Sequence, residues 1–294
     1  MHILQTPKLT QKAYACNHRT IHFDRPLVMA IVNLTPDSFY DGGKYTETED
    51  VLRDVAAKVN AGADIIDIGA ASSRPGADLL SAEEEWKRME TALQAVRDKY
   101  PEVLISVDTV HASVAEKAAY LGVDLINDIS GGKVDKDMLT TVARLNLPYI
   151  MMHMNGVPKN MGSLPKMTDA QNTVYSFFKE QCTLLIAKGF NKIILDPGFG
   201  FGKSLANNYE LLGSLCTFRE LGYPLLAGVS RKSMISKITH GTPVTSLNGT
   251  SVVNTIALLN GANILRVHDV TEAVETIKLV SFYLQCQDAN ISLP

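Results

Sequence analysis

The chain has 294 residues, enough for two average domains of ~150 residues and equally suited to a single α/β barrel of ~250. Hydrophobic residues make up 46% and charged residues 20%, which excludes a disordered, collagen-like or coiled-coil chain. Lys and Arg number 28 against 31 Asp and Glu, and the net charge of −3 supplies no global basic field for nucleic acid, so any anion site has to be built locally.

Met1 to Asp24 mixes His, Lys, Arg and Asp without the apolar stretch of a signal peptide. Within it, Tyr14-Ala15-Cys16 and Thr20-Ile21-His22-Phe23 flank Asn17-His18-Arg19, the pattern of a short hairpin. Apolar runs with polar ends then recur at Pro26–Asn33, Asp64–Gly69, Val103–Asp108, Val123–Asn127, Leu147–His153, Lys192–Asp196, Pro224–Ser230 and Ala262–His268. Runs such as Leu27 to Val32 and Ile193 to Leu195 are apolar on successive residues, as strands of a parallel sheet covered on both faces must be.

Segments of helical period separate the runs. Thr46 with Glu49, Ser81 with Glu84 and Thr168 with Gln171 have capping-box spacing, and Gly62, Gly122, Gly189 and Gly222 stand where helices are expected to end. Eight strand-helix units predict an α/β fold: a closed (β/α)8 TIM barrel with an N-terminal β-hairpin covering its bottom, with an open doubly wound sheet as the alternative. No Gly/Ser/Pro-rich linker interrupts the pattern. Residues 1–25 are therefore read as an N-terminal extension and hairpin, 26–288 as one barrel domain and 289–294 as a C-terminal tail. Cys16, Cys182, Cys216 and Cys286 lack metal or redox spacing and read as free thiols of a reducing compartment. No apolar run approaches the ~18 residues of a membrane helix, and a soluble cytoplasmic protein is expected.

Reacting groups of barrel enzymes sit at the C-terminal ends of the strands and in the loops that follow. That rule gathers Asn33, Asp67, Asp108, Asn127, Asp128, His153, Asp196, Ser230, Arg231, Lys232, Arg266 and His268 at one mouth. The turn-rich loops Thr35 to Gly43 and Ala70 to Asp78 are long enough to close as lids, and Phe39 and Arg74 within them offer an aromatic wall and an anion clamp. Asp196-Pro197-Gly198-Phe199-Gly200-Phe201-Gly202-Lys203 lacks the spacing of a nucleotide P-loop. Its glycines would instead let the backbone approach a flat ligand near Phe199 or Phe201, with Asp196 on the ligand's edge. Arg231 and Lys232 at a helix start oppose the helix dipole, which points to an anion nearby.

Taken in order, Ile31-Val32-Asn33-Leu34-Thr35-Pro36-Asp37-Ser38-Phe39, Ser73-Arg74-Pro75-Gly76, Val107-Asp108-Thr109, Ile126-Asn127-Asp128-Ile129-Ser130-Gly131-Gly132, Asp196 to Lys203, Ser230-Arg231-Lys232-Ser233 and Arg266-Val267-His268 resemble the dihydropteroate synthases of folate biosynthesis from about Pro26 to Thr276. The resemblance implies a transferase that joins 6-hydroxymethyl-7,8-dihydropterin diphosphate to 4-aminobenzoate with release of diphosphate, a homodimer, and a target of sulfonamides. It places the pterin on Asp108, Asn127, Asp196 and Lys232. It assigns the diphosphate to Asn33, Ser73, Arg74, Arg266 and His268, with Mg2+ at Asn33, and the aminobenzoate to Phe39, Pro75, Lys232 and Ser233. Asp37, Arg74 and Lys232 are the implied catalytic residues. Two departures stand out: Ala71 replaces a glutamate common in the family's second loop, and Tyr40 is bulkier than usual. The alternatives are a pterin-binding methyltransferase, which lacks counterparts of Arg74, Ser233 and His268, and a non-catalytic pterin-binding paralogue, suggested by the altered second loop.

Overall fold

The computed structural model describes residues 9–34, 48–71, 77–157, 159, 161 and 167–288. Strands β1 (Ala13–Cys16) and β2 (Arg19–His22) pair antiparallel with Cys16 opposite Arg19. The turn is therefore Asn17-His18, and Asn17 adopts a left-handed φ of 50°, which asparagine tolerates better than most residues.

Eight parallel strands follow among the described residues: β3 (Leu27–Asn33), β4 (Ile65–Gly69), β5 (Leu104–Asp108), β6 (Leu125–Asp128), β7 (Tyr149–Met152), β8 (Ile193–Asp196), β9 (Leu226–Ala227) and β10 (Ile264–Val267). They are ordered β8-β7-β6-β5-β4-β3-β10-β9, and a parallel bridge between Leu195 and Leu225 joins the two edges, so the sheet closes. The helices are α1 (Thr48–Asn60), α2 (Ala82–Lys99), α3 (Ala112–Tyr120), α4 (Met138–Leu145), α5 (Ala170–Ala187), α6 (Leu205–Gly213), α7 (Leu215–Phe218), α8 (Ser233–Thr239), α9 (Leu247–Leu259) and α10 (Val270–Asp288). The barrel reading holds and the open sheet is excluded. Strand β9 is shorter than its apolar run because from Gly228 the chain leaves the ladder and turns into α8.

Ser81 caps α2 in the expected box with Glu84. Helix α5 begins one residue later than Thr168 would place it: the Asp169 carboxylate accepts from the Asn172 amide at 3.0 Å, and a charged acceptor suits the positive end of the helix. Thr46 lies outside the described residues.

The two-residue period of the strands decides what faces the barrel axis. Met29, Ile65, Leu125, Ile150, Ile194, Leu226 and Ile264 form one buried cluster with Tyr14, Cys16, Ile21 and Phe23 of the hairpin. Their sequence neighbours Val28, Ile66, Ile126, Tyr149, Ile193, Ala227 and Leu265 belong to the separate cluster under the helices. The hairpin thus closes the N-terminal end of the barrel. The Tyr14 hydroxyl donates to the Ile193 carbonyl at 2.8 Å. Arg19 and Arg97 reach the fully buried Asp124 at 2.9 and 2.6 Å. Burying Tyr14, Ile21 and Phe23 contributes ~1.5–3 kcal/mol each, which leaves the opposite end to hold the chemistry.

Candidate functional site

Two residues above the apolar layer on the same strands stand Asp67, Asn127, Asp196 and Arg266, and one step further on β3 and β5 stand Asn33 and Asp108. Asp67 is the hub. Its Oδ2 accepts from Arg266 Nε at 2.7 Å and from Asn127 Nδ2 at 3.1 Å, while Arg266 Nη2 reaches Asp67 at 2.6 Å and Asp108 at 2.7 Å. The guanidinium lies between two carboxylates, which together raise its pKa despite the opposing effect of burial. Its Nη1 makes no hydrogen bond among the described residues. Burial pushes Asp108 up to about 7, against Arg266 and with the negative charge of Asp67 adding to the rise.

Lys232 caps α8 without a capping side chain. Its ammonium donates to the Phe199 carbonyl and lies 4.7 Å from the centre of the Phe201 ring. Burial lowers its pKa to about 8, opposed chiefly by Asp196. Asp196 is raised by burial and accepts from the Gly198 amide at 2.7 Å. The aromatic residue at the mouth is Phe201, since Phe199 is wholly buried in the core under the helices. The structure therefore brings Asp108, Asn127, Asp196, Lys232 and Arg266 together. His268 is exposed beside them, its Nδ1 3.0 Å from the Ser230 hydroxyl, and Ser233 is exposed at the start of α8.

Three residues gathered at the mouth by the strand-end rule turn elsewhere. Asp128 faces outward and organises the following loop, accepting from Ser130 N, Ser130 Oγ, Gly132 N and Tyr149 Oη at 2.7 to 2.8 Å. His153 packs edge-on against Phe177 of α5, and burial drops its pKa to about 3. The anion beside Arg231 is the protein's own: Asp269 accepts from Nε at 2.8 Å and Nη2 at 2.7 Å, so this arginine ties the loops after β9 and β10 together. Asp37, Phe39, Ser73, Arg74 and Pro75, and the departure at Tyr40, lie outside the described residues. Sequence reasoning gathered Asp67 at the mouth but assigned it no role; its place two residues beyond the apolar Ile65 is the signal that turns it to the axis. Lys203, at the end of the glycine loop, was also passed over.

No three His, Cys, Asp or Glu side chains among the described residues are placed to share a metal ion. Asn33, half-buried at the end of β3, makes no side-chain hydrogen bond among the described residues. Its amide oxygen fits a Mg2+ ion that keeps most of its shell as water and phosphate oxygens.

Residues 29–268 match the model of the pterin binding enzyme family. The chain is 41% identical over 271 residues to the dihydropteroate synthase of Escherichia coli K12, covering 92% of this chain and 95% of that protein. The chain belongs to the dihydropteroate synthases, within the pterin-binding enzymes. The Haemophilus influenzae synthase is 40% identical over 91% of this chain and 97% of its own length. Among solved structures, the Yersinia pestis dihydropteroate synthase in complex with a sulfonamide drug superposes with a TM-score of 0.88 at 39% identity, over 93% of this chain and 99% of that one. The Xanthomonas albilineans synthase with 4-aminobenzoic acid gives 0.86 at 35% identity, over 97% and 100%. Family membership extends over the whole barrel, and the carboxylate and ammonium cluster occupies its C-terminal mouth, where barrel enzymes react.

Proposed function

We infer that the chain condenses 6-hydroxymethyl-7,8-dihydropterin diphosphate with 4-aminobenzoate to 7,8-dihydropteroate and diphosphate. The observation that carries this reading is the cluster of Asp108, Asn127, Asp196 and Lys232 at the mouth of a barrel 41% identical to a dihydropteroate synthase. A pterin presents a guanine-like edge of amino and ring N–H donors, which a buried carboxylate such as Asp196 accepts in parallel. Lys232 and Asn127 supply donors for the ring acceptors.

At the methylene attached to the ring, the C–O bond breaks with its electrons leaving on diphosphate. A C–N bond then forms to the aromatic amine, which releases a proton. That amine is neutral at pH 7 and needs no strong base. The protein's contribution is placement, stabilisation of charge and exclusion of water. Lys232, with its pKa near 8, keeps its charge at neutral pH. Arg266, through its uncommitted Nη1, and His268 are proposed to face the leaving group, with Ser73 and Arg74 supplied by the second loop. Phe39, Pro75, Lys232 and Ser233 are proposed to receive the aminobenzoate, and Asp37 joins Arg74 and Lys232 in the catalytic set. Asn33 would hold a Mg2+ ion, which neutralises charge on the departing diphosphate when bound.

Two further parts of the reading concern the protein's setting. Val252, Ile256 and Leu259 of α9 and Leu279, Phe282 and Tyr283 of α10 are exposed apolar residues at helical spacing on two helices packed together. Such a surface suits a second copy of the chain. Light scattering should report a dimer that Phe282→Glu dissociates, and a monomeric wild type would remove this element. The four cysteines are all free, and no helix among the described residues is long and apolar enough to cross a membrane; both features suit the cytoplasm. The activity itself is tested by following diphosphate release from the pterin diphosphate with and without 4-aminobenzoate. Release that does not depend on aminobenzoate would overturn the reading.

A further inference from the structure

We propose that Lys203 is a positioning residue of the pterin pocket: its ammonium ties the glycine loop after β8 to the end of β7 and thereby fixes where Lys232 presents its amine. The inference rests on the pterin-binding reading above. Lys203 Nζ donates to three backbone carbonyls, His153 at 3.0 Å, Gly198 at 2.8 Å and Phe201 at 3.3 Å. Those acceptors use all three protons of the ammonium. One belongs to the segment leaving β7 and two belong to the loop leaving β8.

These segments are laid backbone on backbone. A Cβ on Gly198 (φ 70°) would sit 2.0 Å from the His153 carbonyl oxygen, and one on Gly202 (φ 66°) 2.2 Å from that of Asn155. Such close approach brings the His153, Gly198 and Phe201 carbonyls to one point, and a cation at the centre offsets the repulsion of their dipoles. The same loop carries groups that meet the Lys232 ammonium and its partner Asp196. The Phe199 carbonyl accepts from the Lys232 ammonium, the Phe201 ring lies 4.7 Å from it, and the Gly198 amide donates to the Asp196 carboxylate at 2.7 Å. Lys203 itself donates only to backbone, so its influence on the ligand passes through Lys232 and Asp196.

Lys203→Met keeps the aliphatic stem and removes the three donors. Loss of charge-assisted bonds predicts a rise of about ten- to a hundred-fold in the KM for dihydropterin diphosphate and in the Kd for 6-hydroxymethylpterin by calorimetry. Added to Lys232→Met, the same substitution should weaken pterin binding by clearly less than it does in the wild type, because the loop no longer has an ammonium to place and acts on the pterin through Asp196 alone. Lys203→Ala should recover pterin affinity when ethylammonium is supplied to fill the space, and if Lys203→Met does not fold, this variant refolded in the amine decides. Unchanged pterin affinity in Lys203→Met, additive losses with Lys232→Met, or no recovery by ethylammonium would each overturn the proposal. A wild type inactive in the same assay would instead strike the functional reading on which it rests.

Discussion

Replacing Arg266 by methionine tests the charge arrangement of the mouth. The side chain is 19% exposed, as is that of Asp108, and Asp67 is 0% exposed. In the native protein one guanidinium compensates two carboxylates, and Asp67 Oδ1 already has no partner among the described residues. Methionine fills a similar volume but leaves both acids facing each other in a poorly hydrated interior. Breaking a buried pair by removing one member costs about 3–5 kcal/mol. Protonation relieves part of this, since Asp108 already titrates near 7 and loses the group that holds it down. A loss of ~3 kcal/mol at pH 7 is expected in urea unfolding. The sign of the pH dependence follows from linkage: without the guanidinium Asp108 keeps its proton to higher pH than in the wild type, where it titrates near 7, so the folded variant binds more protons than the folded wild type above about pH 7 and its deficit grows as pH rises through 7 and shrinks as pH falls below it. Asp67→Asn on the Arg266→Met background should restore part of the loss. A deficit below ~1 kcal/mol at pH 7, or one independent of pH, would refute the picture of a single cation holding two acids.

Asp196→Asn removes the acceptor proposed for two pterin N–H groups and the main charge supporting Lys232. Calorimetry should show a Kd for 6-hydroxymethylpterin raised by ~100-fold, from about 3 kcal/mol of lost charge-assisted bonding, and an unchanged Kd would remove Asp196 from the pterin edge. Without ligands, the stability of the wild type should rise from about pH 7 to about pH 9, because Lys203 and Lys232 are lowered from 10.5 to about 7 and about 8 and the unfolded chain binds more protons there. Below pH 7 the rise from His153 and His268, lowered to about 3 and about 4, offsets the fall from Asp108, raised to about 7. A urea midpoint that is flat or falls from about pH 7 to about pH 9 would contradict the buried placement of the two lysines. Arg74→Ala should reduce kcat by ~100-fold, the loss typical of one donor to developing charge, while pterin affinity stays within about threefold; wild-type turnover would refute the clamp.

Much of the barrel was legible because strands buried on both faces and helices with one apolar stripe obey different periods, and the sequence keeps them distinct from Leu27 to Val267. The direction of individual side chains was less legible. Asn127 and Asp128 are adjacent at the end of β6, yet the pleat sends the first to Asp67 and the second to Tyr149. Counting in twos from Leu125 would have separated them. His153 and Arg231 depended on contacts with Phe177 and Asp269, which are made by distant segments and leave no local trace. Lys203 looked like the end of a nucleotide-type loop, and only the convergence of three carbonyls shows what it holds.

The overall charge of −3 takes on meaning at this site. Among the described residues on the axis and its glycine loop, Arg266, Lys232 and Lys203 face Asp67, Asp108 and Asp196, and most of the positive charge is already committed. Arg266 serves two acids, and Lys203 serves three carbonyls. Such a surface has acceptors to spare for a neutral ring rich in N–H donors but little free charge for a diphosphate. The two halves of one substrate therefore make opposite demands on the same mouth. In the proposed function the rigid strands answer the first with fixed carboxylates, as selectivity for an array of donors requires. The second is there assigned to Arg266 Nη1, to His268 and to cations from outside the strands, Arg74 of the second loop and a Mg2+ ion that Asn33 would hold. Such a division would also spare the unliganded barrel an uncompensated positive cluster.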